Sequence, residues 1–247
     1  MKIIFLGTNG WYDTKTGNTV CIIIETNDYT IILDAGNGIS KLDRFIEFDK
    51  PAYLFLSHFH LDHIEGLHTI SKFRFQKGLN ICGSKGIEAT LNRVVAEPFT
   101  IPFNKLNFDT RCIELPDEEK KLPFKVKCLP LNHSSVTLGF RFEIDQRIIA
   151  YCTDTGYCEN TIEIARGADL LITECALKSG QQDLNWPHLN PQMAAQIAQT
   201  ANTKQLVLTH FDAEIYKTLE ERQTAGTEAR KIFANTFVAK DNMIFKI

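Results

Sequence analysis

The stretch His58-Phe59-His60-Leu61-Asp62-His63 places three imidazoles and one carboxylate within six residues. It lies just beyond the apolar run 53–56, which is typical of a buried strand. Side chains two positions apart on an extended segment point the same way, so His58 and His60 can bind one metal ion. If the chain then turns into a helix, Asp62 and His63 lie on the other side and can bind a second ion. This density of metal-competent side chains favours metal binding over a solvated polar turn.

Three further strand-like apolar runs also lead to a histidine or an aspartate. His133 follows the run 126–131, Asp154 follows the run 148–151, and His210 comes directly after the run 206–209. Open sheets commonly place their sites at such strand ends. A single case would read as a polar residue that caps a strand, but the fourfold repetition indicates one shared site.

Taken together, these motifs resemble those of the metallo-β-lactamase superfamily. Residues 58–63 match its HxHxDH motif, and His133, Asp154 and His210 match the three later ligand motifs in order. The resemblance implies an α/β fold, namely an αββα sandwich of two mixed β-sheets flanked by helices, in a single hydrolase domain over residues 1–247. Within the superfamily, the segments 138–142, 167–175 and 187–190 are most similar to the branch of RNase Z and related phosphodiesterases.

The resemblance also implies a cofactor and a ligand set. It predicts two divalent metal ions, zinc in the first place, with manganese or iron as alternatives that the same donors accept. One ion would be held by His58, His60 and His133, the other by Asp62, His63 and His210, with Asp154 bridging them. The reaction implied is cleavage of a phosphodiester bond by a metal-bridging hydroxide. Asp62 could also orient this hydroxide or take its proton.

A leaving alkoxide needs a proton, and His188 is the candidate donor. Glu174 matches the position that orients this histidine in the family, and its carboxylate would favour the charged imidazolium. The alternative is that His188 is a surface residue in a loop. Asp34 either supports a ligand histidine from behind or is a turn aspartate at a strand end.

Two departures from RNase Z bear on the substrate. RNase Z commonly inserts a long tRNA-binding arm between the third histidine and the bridging aspartate, whereas here 21 positions separate His133 from Asp154. Asp212 and Glu214, just after the last ligand motif, would repel a polyanion. We therefore expect a small or cyclic phosphodiester substrate, with RNA as the less favoured partner.

Other functions stay open at this point. One is an RNase Z-like tRNA 3′ endonuclease, and another is a lactonase or thioesterase that acts at a carbonyl carbon. The pair of Glu174 and His188 disfavours carbonyl chemistry, because a poor alkoxide leaving group is where a dedicated acid helps most. A diiron redox enzyme and a non-catalytic binding protein are weaker alternatives, because the HxHxDH motif and the ligand set are complete.

Composition is that of an ordinary globular chain. The 247 residues suit one large domain, and a net charge of -3 gives no global basic field for nucleic acid. The seven cysteines are scattered without a CxxC pair, which predicts free thiols in a reducing compartment. With no signal-like start and no long apolar run, we expect a cytoplasmic protein without a membrane segment. The resemblance also allows a homodimer.

Hydrophobic patterning predicts alternating strands and helices. Helices are expected over 37–48, 63–75, 87–96, 162–166, 191–201 and 227–235. Strands are expected over 2–6, 19–25, 30–34, 52–56, 124–129, 136–144, 147–151, 170–174 and 206–209, with a further short strand from 81. Residues 99–125 are expected to be irregular.

Overall fold

A computed structural model describes all residues from Met1 to Ile247. Two large β-sheets pack face to face, and helices cover both outer faces. The strands of the first half are β1 (Lys2–Gly7), β2 (Asn9–Gly10), β3 (Cys21–Glu25), β4 (Thr30–Leu33), β5 (Ala52–Phe55), β6 (Leu79–Ser84) and β7 (Thr110–Leu115). Those of the second half are β8 (Lys125–Pro130), β9 (Leu138–Ile144), β10 (Arg147–Cys152), β11 (Leu170–Glu174), β12 (Leu206–Thr209), β13 (Phe211–Asp212), β14 (Thr236–Val238) and β15 (Met243–Lys246).

The helices are short, and several are of the 3₁₀ type. The α-helices are α1 (Leu61–Ile64), α2 (Ile87–Val94), α3 (Glu159–Ala165), α4 (Pro191–Thr200) and α5 (Leu219–Arg230). The 3₁₀ segments are Asn37–Arg44, Glu65–Lys72, Phe103–Lys105 and Glu119–Lys121. None of these helices combines the length and the apolar composition that a membrane crossing requires.

Both large sheets are mixed, as the sequence predicted. The first has the order β15-β1-β3-β4-β5-β6-β7, antiparallel as far as β4 and parallel from there to β7. The second has the order β14-β12-β11-β10-β9-β8, parallel as far as β10 and antiparallel beyond it. The short strands β2 and β13 pair with each other. The parallel regions place several strand ends at one edge of the molecule.

The inner strands of the first sheet are buried on both faces. In β1, Ile3 and Phe5 face the other sheet, while Ile4 and Leu6 pack under the helices. This alternation follows from the two-residue period of a strand, and burial on both faces explains the almost continuous apolar run.

Aromatic packing joins the two sheets. Phe55 on β5 meets Phe140 and Phe142 on β9 edge-on, with ring centroids 5.3 and 4.9 Å apart. A separate apolar cluster lies between the second sheet and α3, α4 and α5. The sandwich is therefore held by one core between its sheets and one outside each of them.

Several predicted elements differ from the structure. The helices expected over 37–48 and 63–75 are mainly 3₁₀ turns, Asn37–Arg44 and Glu65–Lys72. The region 99–125, expected to be irregular, contains the edge strand β7, whose polar residues alternate with buried ones and so leave no apolar run. The last helix, expected over 227–235, is Leu219–Arg230, and β14 and β15 were not predicted.

Candidate active site

Strand ends and adjacent turns at one edge of the sandwich carry the candidate residues. Asp34 follows β4, His58 lies just beyond β5, Asp154 just beyond β10, and His210 follows β12. Asp34, Asp154 and His210 have positive φ angles of 56°, 51° and 49°. Such angles are uncommon for residues other than glycine, and they cluster at functional sites where the surroundings hold the strained backbone.

The structure brings the seven predicted ligands together in two groups that share one wall. His58, His60, His133 and Asp154 form one group. Asp62, His63 and His210 form the other. The helix α1 begins at Leu61, so Asp62 and His63 lie on a helical turn and not on the extended segment of His58 and His60.

Asp154 spans the two groups with its two carboxylate oxygens. Its Oδ2 lies 3.4 Å from Nε2 of His58 and 3.6 Å from Nε2 of His133. Its Oδ1 lies 3.0 Å from Nε2 of His210 and 3.5 Å from Nε2 of His63. One carboxylate therefore faces both halves of the site, which is the arrangement that a bridging ligand needs.

The spacing of the donor atoms fits divalent metal ions. A tetrahedral ion with ligand bonds of about 2.0–2.1 Å separates its ligand atoms by about 3.4 Å. The gap between Nε2 of His133 and Nδ1 of His60 is 3.3 Å, and that between Nε2 of His210 and Oδ2 of Asp62 is 3.4 Å. The Nε2 atom of His58 is buried without a hydrogen-bond partner. The donor atoms and their separations therefore fit the binding of a divalent ion.

Electrostatics divides the histidines into two kinds. Burial lowers the pKa of His133 to about 4 and also lowers the pKa of His58, so both imidazoles are neutral and able to coordinate. Burial alone would lower the pKa of His210 too, but Asp154 and Asp62 raise that pKa to about 10. In the same way, Asp154, Asp34 and Asp62 outweigh burial and raise the pKa of His63 well above its ordinary value. The carboxylates thus make this cavity stabilise positive charge.

Asp34 lies behind the site and contacts His63. Its Oδ2 is 3.0 Å from Nδ1 of His63, and it accepts hydrogen bonds from the Tyr151 hydroxyl at 2.6 Å and the Ser57 hydroxyl at 2.9 Å. Burial and the Asp34 carboxylate raise the pKa of Tyr151 well above its usual range, so this hydroxyl stays a donor. Asp34 therefore orients the His63 ring and leaves Nε2 of His63 facing the site.

His188 and Glu174 form a buried pair beside the metal-ligand groups. Nδ1 of His188 lies 2.8 Å from Oε1 of Glu174, which leaves Nε2 as the atom that can donate a proton. The Glu174 carboxylate also accepts backbone N–H bonds from Thr155, Ala176 and Leu189. Burial lowers the pKa of His188, but Glu174 outweighs it, and the net effect raises this pKa above its ordinary value.

The site opens into a cavity of about 620 Å³. Sequence reasoning did not single out three residues of its lining, Trp11, Glu65 and Trp186. The two tryptophans are the only ones in the chain, and this rarity is the sequence signal that could have drawn attention to them. No lysine or arginine lines this cavity.

Comparison with known proteins identifies the family. The sequence profile described as "Beta-lactamase superfamily domain" matches residues 29–211, which include all seven candidate ligands. The chain belongs to this superfamily. The predicted fold class is confirmed, and the protein is a metal-dependent hydrolase of the β-lactamase superfamily.

Several relatives resemble this hydrolase over most of its length. "Probable metallo-hydrolase YhfI" of Bacillus subtilis is 28% identical over 85% of this chain and 87% of its own. The crystal structure of YhfI superposes with a TM-score of 0.83 at 23% identity, over 99% of this chain and 98% of that one. "Ribonuclease Z" of Archaeoglobus fulgidus is 26% identical over 100% of this chain and 97% of its own. The crystal structure of the short form of human tRNase Z superposes with a TM-score of 0.76 at 25% identity, over 100% of this chain and 99% of that one.

The ribonuclease Z alignment also shows a difference in length. It runs over 306 positions, whereas this hydrolase has 247 residues, so at least 59 positions of the relative have no counterpart here. Between His133 and Asp154 this chain forms only the hairpin of β9 and β10. The turn of the hairpin is Asp145-Gln146, both at positive φ, which is the tight geometry of a two-residue loop.

Proposed function

We propose that this hydrolase cleaves a small or cyclic phosphodiester, with two divalent ions, zinc in the first place, bound by the seven residues of the two groups. When bound, such ions lower the pKa of water toward neutrality and withdraw charge from phosphate oxygens. Asp62 would orient the attacking water or take its proton, because its carboxylate borders both His63 and His210. Asp154 would hold the two halves of the site together.

The observation that carries the proposal is the pair of His188 and Glu174. The pair is buried beside Asp154, and His188 lines the cavity, while neither residue belongs to the two groups of predicted ligands. His188 would donate its Nε2 proton to the departing alkoxide, and the Glu174 carboxylate would keep the imidazole charged until that moment. Cleavage at phosphorus with an alkoxide leaving group gains most from such a donor. Lactones and thioesters gain less, which is why carbonyl chemistry ranks lower.

Charge and topology favour a small substrate over tRNA. The tight hairpin between His133 and Asp154 leaves no projecting arm, and the cavity is lined by carboxylates, Glu65 and Asp212 among them, without a lysine or arginine. Binding of a polynucleotide draws on many contacts between cations and phosphates. Ribonuclease Z activity on RNA remains the second candidate, because a relative of that name aligns along the whole chain.

We also propose a reducing compartment, and the thiols support it. All seven cysteines are unpaired, and most are buried. This state supports a reducing compartment such as the cytoplasm.

The test is a hydrolysis assay of the metal-loaded protein. Bis-p-nitrophenyl phosphate, p-nitrophenyl acetate and a lactone are compared, each with and without chelator. We expect chelator-sensitive cleavage of the diester alone. Preference for the ester or the lactone would move the reaction to carbonyl carbon. Tight, salt-dependent binding of precursor tRNA with cleavage at its 3′ end would instead establish the ribonuclease Z alternative.

A further inference from the structure

Both tryptophans of this chain lie at the rim of the catalytic cavity. Trp11 is 64% exposed and Trp186 is 50% exposed, although tryptophan side chains are highly buried on average. Neither ring belongs to any of the three apolar cores. Packing of the fold therefore does not explain either side chain, and large exposed aromatic rings are characteristic of recognition surfaces.

Trp11 is fixed by its backbone, and its ring meets the Tyr12 ring edge-on with centroids 5.2 Å apart. Its φ is 74°, a strained value for a bulky residue. Its N–H donates to Oδ2 of Asp62 at 2.8 Å. The buried Arg222 guanidinium anchors the same loop through Asn9 at 2.6 Å and Thr16 at 2.9 Å. The loop therefore holds an exposed indole next to the metal-ligand groups.

Trp186 is fixed by the imidazoles of the site. Its ring is parallel to that of His60, with 4° between the planes and 6.0 Å between the centroids. It also lies 5.6 Å from the His133 ring and 5.9 Å from the His188 ring. The indole therefore stands next to the reacting centre, where it can contact any group attached to the phosphate.

The aromatic and acidic side chains at the rim of the cavity favour a ligand that carries a planar, uncharged group. Aromatic faces stack on nucleobases of every kind, whereas the neighbouring carboxylates of Glu65 and Asp212 offer nothing to a second phosphate. We propose that Trp11 and Trp186 stack on the base of the substrate, so that the diester is that of a nucleoside, such as a cyclic nucleotide, and not a base-free sugar phosphate. This inference rests on the proposed phosphodiesterase function.

Intrinsic fluorescence tests the proposal without relying on turnover. Since the chain has two tryptophans, Trp11→Ala leaves only Trp186 as the emitter, and Trp186→Ala leaves only Trp11. The metal-loaded protein is titrated with adenosine 5′-monophosphate and with ribose 5-phosphate, which differ only by the base. The nucleotide should change the emission of both single-tryptophan variants and bind at least about tenfold more tightly than ribose 5-phosphate in competition.

Kinetics provides the second arm. With adenosine 2′,3′-cyclic phosphate, each alanine variant should lose about tenfold or more in kcat/KM, while Trp186→Phe should keep most of it. With the cyclic phosphate of base-free ribose, the alanine variants should lose much less in kcat/KM than they lose with the cyclic nucleotide. Leu184→Ala is the matched control, since Leu184 is 83% exposed in the same loop but does not line the cavity.

Equal affinity for adenosine 5′-monophosphate and ribose 5-phosphate would overturn the proposal, and so would alanine variants that cleave the cyclic nucleotide at the wild-type rate. Chelator-sensitive hydrolysis of bis-p-nitrophenyl phosphate by the wild type separates this failure from failure of the proposed function. If that activity is present while the base has no effect, only the stacking role is wrong. If that activity is absent, the proposed phosphodiesterase function itself is wrong.

Discussion

Replacing Glu174 with glutamine removes the negative charge from the buried pair. The amide is nearly isosteric with the carboxylate, and its oxygen can still accept from Nδ1 of His188, which lies 2.8 Å from Oε1 of Glu174. The amide nitrogen then faces the N–H groups of Ala176 and Leu189, which donate to Oε2 of Glu174, so those two hydrogen bonds are lost as well. For His188, the change is a weaker stabilisation of the imidazolium. Because Glu174 is the main cause of the raised pKa of His188, the Glu174→Gln variant should have a lower pKa at that histidine.

The size of the change follows from the strength of the contact. A hydrogen bond to a charged group contributes about 1.5–3 kcal/mol, and one pKa unit corresponds to about 1.36 kcal/mol. The pKa of His188 should therefore fall in the variant. In the proposed mechanism His188 acts in its protonated form, so activity should be lost as the pH rises through this pKa. In the variant that loss should begin at lower pH, and above the pKa the protonated fraction of His188, and with it kcat, should be lower than in the wild type by about tenfold or less.

The assay is the pH dependence of kcat with a nucleoside 2′,3′-cyclic phosphate, whose leaving alkoxide needs a proton. Bis-p-nitrophenyl phosphate is the internal control, because p-nitrophenolate leaves without one. Glu228→Gln is the matched variant, since Glu228 pairs with Lys231 on the surface, away from the site. An alkaline limb at the same pH in Glu174→Gln and wild type would refute the role of the pair, as would a shift to higher pH.

Four further perturbations test the metal site and its support. Asp154→Asn should reduce bound metal at both halves of the site, whereas His133→Ala should lose about one ion per chain, measured by elemental analysis. The proton on His210, with a pKa of about 10 against an ordinary 6.5, stabilises the metal-free protein below about pH 6.5 and is lost as the pH rises through about 10. Since His63 also has a raised pKa, added zinc should raise Tm more near pH 9 than near pH 6 by scanning calorimetry, and an equal gain would contradict this. Arg222→Lys cannot reproduce the forked contacts of the buried guanidinium, so urea unfolding should show a loss of about 2 kcal/mol or more. Unchanged stability would argue against that anchor.

Local patterns were sufficient to predict the site-bearing strands. The strands β5, β8, β10 and β12 correspond to the four predicted apolar runs, each leading to a histidine or an aspartate, and that rule holds without knowledge of the topology. The helix expected from residue 191 begins there, and the Asn190 side chain caps it by accepting from the Met193 N–H at 3.0 Å. These features depend on neighbours in sequence, which a single chain displays directly.

Elements without an apolar run of their own were missed. The strand β7 lies at the edge of its sheet and buries alternate residues only, so nothing separates it from a polar loop. The last helix was placed too late, although Thr218 and Glu221 form a capping box at its true start. That signal was present in the sequence, but the helix has no continuous apolar stripe to draw attention to it.

The contacts of Asp62 show what a sequence motif leaves out. The HxHxDH pattern predicts that this aspartate is a ligand, and its Oδ2 lies 3.4 Å from Nε2 of His210. The same oxygen accepts the N–H of Trp11 at 2.8 Å, across 51 positions of sequence. One carboxylate thus links the metal-ligand groups to the strained loop that carries the exposed indole. Because a carboxylate that binds a metal is fixed in orientation, a metal ion held by Asp62 would also fix the placement of Trp11 through this single side chain.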